Sequence, residues 1–240
     1  MRIPLTKYGL PEVVYIPVII IGLMILLLLP GLYFLSAGVV IACEAVLLGG
    51  LLLVLSFFRD PHRVIPADKD VLLAPADGKV ADVEVVEENA HIQGRALRIG
   101  IFMSVFNAHI NRFPCAVKIE KVVHKPGRYK NAMRVDSSRS NESNDIALTR
   151  LDEPADRLLL RQIAGAIARR IVCTAGPGQN YGGGRQFGMV KFGSRVELYL
   201  PVRENAKCLV NVGDKVKAGL SILVRYESGS NQPGRANNEV

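Results

Sequence analysis

Hydrophobic residues run almost unbroken through the first quarter of the chain and alternate with polar ones afterwards. From Ile16 to Phe58 the only charged residue is Glu44. A run of that length exceeds one bilayer crossing of roughly 20 residues. Pro30-Gly31 divides it. The pattern predicts two membrane helices, 13–29 and 32–58, joined by a tight turn at Pro30-Gly31. The runner-up is one spanning helix preceded by an interfacial one. A cleaved signal peptide fits poorly, because the apolar stretch is too long and continues after the break. Phe57-Phe58-Arg59-Asp60-Pro61 marks the exit: two aromatics at the interface, a charge pair, then a proline that stops the helix. Residues 1–60 are therefore expected to form a membrane anchor.

Beyond it the period changes. Leu72 to Val80 reads as strand, turn, strand, with Asp77-Gly78 as the turn. Val80–Glu87, Ala96–Phe102, Ala116–His124, Ile146–Leu151, Arg157–Ile163 and Ile171–Thr174 have the composition and bounds of strands. Ala164–Arg170 suits a short helix. Asp136 to Asn144 is polar and reads as a loop. Arg195 to Leu200 alternates as a half-buried strand does, and Val212 to Gly219 is a turn between strands. Ser, Asn, Gly and Pro dominate from Glu227 on, so 227–240 is expected to be disordered. The fold expected is mainly β with some α: a barrel- or sandwich-type hybrid β domain over 63–226, behind an N-terminal helical hairpin.

Charge sharpens this picture. Thirty Lys and Arg against 22 Asp and Glu leave a net charge of +8, which suits nucleic acid or an anionic membrane surface. There is no Trp, and aromatics do not interleave with basic residues as base-stacking surfaces require. The membrane reading therefore leads, and no nucleic-acid partner is expected. Arg2 and Lys7 precede the apolar block and Arg59, His62 and Arg63 follow it, while the central turn is uncharged. Both ends then face the cytoplasm. This places the β domain on the cytoplasmic side of the cell (inner) membrane. The four cysteines form no CxxC pair and read as reduced, mostly buried thiols.

Chemistry concentrates in a few stretches. Residues 101–114 set Asn107, His109, Asn111 and Arg112 among apolar neighbours. A histidine there can move protons near neutral pH, and an arginine's planar fork can hold a carboxylate or phosphate. The bland alternative is a histidine fixed at a core edge. The Gly-rich turn at 177–184 lacks the lysine or following helix of a phosphate loop. Phe187 to Arg195 contains Gly193-Ser194. If the turn is bent there, Ser194 Oγ reaches the Gly193 carbonyl and an amide can shift to an ester. Taken alone, a Gly-Ser pair is an ordinary turn.

Taken together, these stretches carry a resemblance. Pro75-Ala76-Asp77-Gly78, Phe102-Met103-Ser104 through His109-Ile110-Asn111-Arg112, Arg139-Ser140-Asn141-Glu142, Arg185 through Val196 and Val212 through Gly219 occur in this order. From about Phe57 to Tyr226 the chain closely resembles the short bacterial branch of the phosphatidylserine decarboxylase proenzymes. The resemblance implies an enzyme that cleaves itself between Gly193 and Ser194 into a β chain, 1–193, and an α chain, 194–240. Ser194 then becomes a pyruvoyl group, whose carbonyl forms a Schiff base with the serine amine of phosphatidylserine and serves as electron sink as CO2 leaves. No metal is implied. Asp77 matches the aspartate linked to self-processing, and His109 the histidine linked to decarboxylation. Longer relatives carry a second histidine three residues on, where this chain has Arg112. Either His109 then serves both steps, or another group, Asp77 among them, is the base. Arg112, with Asn111 beside it, is the candidate to hold the substrate's carboxylate or phosphate; the alternative for Arg112 is a surface ion pair. Relatives suggest a homodimer. Anionic lipid is the expected surface partner.

Three competing readings remain at this point. A decarboxylase of another serine-headed phospholipid keeps the same chemistry. A membrane-anchored β binding module is suggested by the Val212-Gly213-Asp214 turn, but Lys215 and Lys217 lack the methionine neighbour of carrier domains. A serine hydrolase built on Ser194 lacks the Gly-x-Ser-x-Gly elbow.

Overall fold

The computed structural model describes residues 5–127, 141–165, 170–191 and 194–227, without the side chains at 29, 30, 32 and 34. Two N-terminal helices, α1 (Glu12–Phe34) and α2 (Ala37–Phe57), precede the β domain. The break between them is at Leu35-Ser36, not at Pro30-Gly31. Leaving the helix inside an apolar stretch would expose backbone polar groups to a medium without hydrogen-bond partners. The helix therefore runs through Pro30 and stops where a polar residue, Ser36, takes an extended conformation. Gly31 serves packing instead: a Cβ there would lie 3.1 Å from Val40 Cγ2 of the second helix. Of the described residues, Ala37–Phe57 forms one helix long and apolar enough to cross a membrane, and it buries only 6% of its apolar window. Val14, Val18, Ile19, Ile41, Val46 and Leu52 of the two helices are all exposed, as suits side chains facing lipid. Glu44 lies along an apolar groove between α1 and α2.

The β domain comprises, in chain order, β1 (Val71–Leu73), β2 (Gly78–Glu88), β3 (Gly94–Met103), β4 (Ile110–Arg112), β5 (Val117–Lys125), β6 (Ser143–Arg150), β7 (Arg157–Ile163), β8 (Ile171–Cys173), β9 (Asn180–Tyr181), β10 (Gln186–Val190), β11 (Ser194–Pro201), β12 (Ala206–Cys208), β13 (Lys215–Val216) and β14 (Ile222–Tyr226). They pair as an eight-stranded sheet, β13-β2-β3-β11-β7-β6-β5-β9, and two three-stranded sheets, β1-β14-β12 and β4-β10-β8. The mainly β expectation holds. No closed barrel forms among the described residues, since the large sheet ends at β13 and β9. Ile99, Ile101, Leu148, Leu160, Val196 and Leu198 are fully buried in the main core.

Two strand readings need correction. The polar stretch before Ile146 is not all loop, because β6 begins at Ser143, with Asn144 buried beside it. Nor is β11 half-buried: Arg195 and Glu197 on its polar face are as inaccessible as Val196 and Leu198. The strand lies in the middle of the large sheet, so its polar face meets other charges rather than water. Ala164–Arg170 falls largely outside the described residues, as do 136–140, Gly193 and the tail beyond Glu227. The cysteines form no disulfide, and only Cys115 is buried, with Cys43 exposed on α2.

Candidate active site

Ser194 opens β11 and pairs across the sheet with Met103, the last residue of β3. Its side chain shares the core-facing side with Val196 and Leu198, because alternate residues of a strand point to one face. Its surroundings are polar within an apolar core. Asn111 of β4 approaches Met103 Sδ at 3.9 Å. Gln162 of β7 donates to Asn111 Oδ1 at 2.8 Å and accepts from Asn144 of β6 at 3.1 Å. Asn111 and Gln162 are fully buried, as is Ser194. Yet Ser194 Oγ has no hydrogen-bond partner. An orphaned buried hydroxyl is rare, and in a native structure it calls for a reason.

His109, just before β4, is the second such group. It is fully buried and stacks on Phe57, the last residue of α2, with ring centroids 4.2 Å apart. Nδ1 lies 2.9 Å from the Asn107 carbonyl. A carbonyl can only accept, so Nδ1 carries the proton and Nε2 keeps a lone pair. Nε2 is buried without a partner. Burial lowers the imidazole's pKa from 6.5 to about 4, against a smaller raising contribution from the Asn107 bond. At neutral pH His109 is therefore an uncharged imidazole with its lone pair free.

Asp77 is engaged differently. Arg63 clamps both its oxygens, at 2.6 and 2.7 Å, and the Ala218 N–H donates to Oδ1 at 2.8 Å. Its charge is still felt at His109, where it opposes the lowering of the pKa. Arg112 is buried rather than a surface residue. It donates to the Gly184 carbonyl at 3.0 Å and lies 3.6 Å from Asp60. It also lines a cavity of about 810 Å³, together with Lys7, Tyr8, Arg185 and Gln186. Asn111 thus points into the polar chain near Ser194, whereas Arg112 borders a basic cavity. Burial and the Arg63 cation both weaken Arg112's hold on its proton, the direction an approaching anion would reverse.

Several residues here escape sequence reasoning. Arg195 donates to Glu197 Oε1 at 2.8 Å and pairs with Asp82 of β2. Arg98 also pairs with Asp82, at 3.2 Å, and Tyr199 donates to Glu197 at 2.6 Å. The guanidinium of Arg195 lies over Gly100, where any Cβ would collide with it. The alternation of β11 is visible in the sequence, but Asp82 and Arg98, which complete the network, lie on β2 and β3. Arg63 reads from sequence as a basic flank of the anchor, with nothing to tie it to Asp77. Among the described residues no cluster of three or more His, Cys, Asp or Glu side chains is placed to hold a metal.

A β protein with a buried serine, and with a neutral histidine stacked on the end of a helix long and apolar enough to cross a membrane, is of a class suited to work beside a bilayer. The phosphatidylserine decarboxylase family model matches residues 51–224. A phosphatidylserine decarboxylase proenzyme of Desulfotalea psychrophila is 44% identical over 169 residues, covering 70% of this chain and 77% of that protein. One from Rhodopirellula baltica is 37% identical over 227 residues, covering 95% and 90%. The chain belongs to the phosphatidylserine decarboxylase family.

Proposed function

We infer that this chain decarboxylates phosphatidylserine to phosphatidylethanolamine after cutting itself between Gly193 and Ser194. The observation that carries this reading is the pair of buried, unpartnered atoms, Ser194 Oγ and His109 Nε2. The family uses a pyruvoyl group. An orphaned hydroxyl at the head of a central strand fits a serine that is spent in making one. Once formed, such a group supplies an electron-withdrawing carbonyl that accepts the electron pair released with CO2.

The chain's own residues prepare the site. For self-cleavage, Oγ gives up its proton and attacks the Gly193 carbonyl; the acyl group passes from nitrogen to oxygen, leaving an ester. Elimination releases the β chain as a carboxylate, and water then displaces ammonia from the new α-chain end. His109 Nε2 is the proton acceptor the site leaves free, because Asp77 has both oxygens held by Arg63. Of the alternatives open in the sequence, the one in which His109 serves both steps is therefore favoured. Asp77 acts instead by position and charge, fixing the turn at Gly78 to Ala218. Phe57 and the core exclude water from the imidazole.

Arg112 and the basic cavity are suited to the carboxylate or phosphate of the lipid, in line with the planar fork of arginine. The two N-terminal helices form a hairpin anchor, residues 1–60, that holds the decarboxylase domain, 63–226, at the cytoplasmic face of the inner membrane. Anionic lipid is drawn to that face by the chain's net charge of +8. The test is a denaturing gel of the purified chain beside Ser194→Ala, with CO2 release from phosphatidylserine measured on both. Two fragments and activity are expected of the native chain, and one intact, inactive band of the variant. An intact native chain that releases CO2 would overturn the reading.

A further inference from the structure

The anchor does more than tether. Glu12, the first residue of α1, forms an ion pair at 2.8 Å with Lys191, whose side chain is 5% exposed. Lys191 directly follows β10 and lies three positions before Ser194. Its backbone N–H donates to the Arg170 carbonyl at 3.2 Å, and Val190 before it pairs with Ile171 of β8. The helix ends grip the same strand: Tyr8, Val13, Phe57 and Phe58 pack with Met189 in one buried cluster. On the other side of the scissile segment, Arg195 is locked by Asp82 and Glu197. In the sequence, the bond to be cut thus falls between two charge-clamped residues, Lys191 and Arg195, and one of the clamps comes from the N-terminal helix.

We propose that Glu12 is a positioning residue for self-cleavage, holding the segment before Gly193 through Lys191. The proposal rests on the reading of Gly193-Ser194 as the cleaved bond. The physical reason is the burial of Lys191. A lysine is almost never buried without a partner, and removing one member of a buried pair leaves an uncompensated charge. Lys191 would then turn toward water and draw the adjoining backbone with it. The other cation near Glu12, Arg170, lies 3.7 Å away and is 62% exposed, and it brings Lys191 no carboxylate. A displacement of about 1 Å in a reacting group can cost on the order of 100-fold in rate.

The experiment follows the full-length chain, pulse-labelled during synthesis into lipid nanodiscs, by the conversion of precursor to two fragments. The wild type and Ser194→Ala report on cleavage itself. With the wild type cleaving, Glu12→Gln is expected to slow conversion at least about tenfold, with protease resistance of the β domain retained. The reversed pair, Glu12→Lys with Lys191→Glu, is expected to restore much of the rate. Cleavage of Glu12→Gln at the wild-type rate would overturn the proposal. So would failure of the reversed pair to recover cleavage in a protease-resistant chain, or a rate loss that only tracks lost protease resistance. An uncleaved wild type would instead strike at the cleavage site itself.

Discussion

Lowering the pH puts the neutral state of His109 to a direct test. Burial brings its pKa from 6.5 to about 4, so charging the folded site costs about 3 kcal/mol more than charging the unfolded chain. Between pH 6.5 and 4 the unfolded state binds a proton that the folded state does not. Stability from this group is therefore complete above about 6.5, declines as pH falls through that window, and levels off below about 4. Function follows the folded value. At pH 5.5 a histidine of pKa about 4 is almost wholly neutral, whereas one at 6.5 would be only about one-tenth neutral. Self-cleavage and CO2 release in detergent micelles should therefore hold at pH 5.5 and fail only toward pH 4. Because carboxylates also titrate there, the deciding variant is Phe57→Ala, which uncovers the ring that stacks on His109. Its acid limb should move up by one unit or more, cutting the rate at pH 5.5 several-fold while the plateau near pH 8 changes less. An acid limb near 6.5 in the wild type, or one that Phe57→Ala leaves in place, would refute the reasoning.

Two other substitutions probe the charges around the site. Arg195→Met strands Asp82 and Glu197, although Arg98 and the Tyr199 hydroxyl still reach them. The loss should approach the lower part of the roughly 3–5 kcal/mol seen on breaking buried pairs, read as a lower thermal midpoint, and Arg195→Met with Asp82→Asn should lose less than the two single changes summed. Arg63→Met frees the Asp77 carboxylate from its cation; slower self-cleavage is expected, with recovery in Arg63→Lys only partial because lysine lacks the two-pronged fork, as a pulse-chase of precursor would show.

Much of the architecture is legible in the chain. The change from a continuous apolar run to alternation separates anchor from β domain, and most strands fall where alternation puts them. What alternation cannot show is the depth of the second face. Arg195-Val196-Glu197 reads the same whether the polar side meets water or a buried network, and only the pairing of β11 between β3 and β7 decides it. Pro30-Gly31 misleads for a related reason: proline stops helices where water can take up the freed backbone, and an apolar segment offers none. The motif residues Asp77, His109 and Ser194 read as ordinary one by one and are picked out only together, through the resemblance their stretches carry in order. Their partners are not, because Arg63 and Phe57 carry no pattern tying them to chemistry, and Asn107, though it stands in the histidine stretch, meets His109 through its backbone carbonyl. Glu12 and Lys191 lie far apart in the sequence, and nothing local joins them.

The central claim is that Ser194 is consumed to make the reactive group. The intact mass of the C-terminal fragment, before and after hydroxylamine, tests it most directly. The fragment is expected to start at position 194, to lack a free amine and to gain one oxime. An N-terminal serine with a free amine, or a mass unchanged by hydroxylamine, would contradict it.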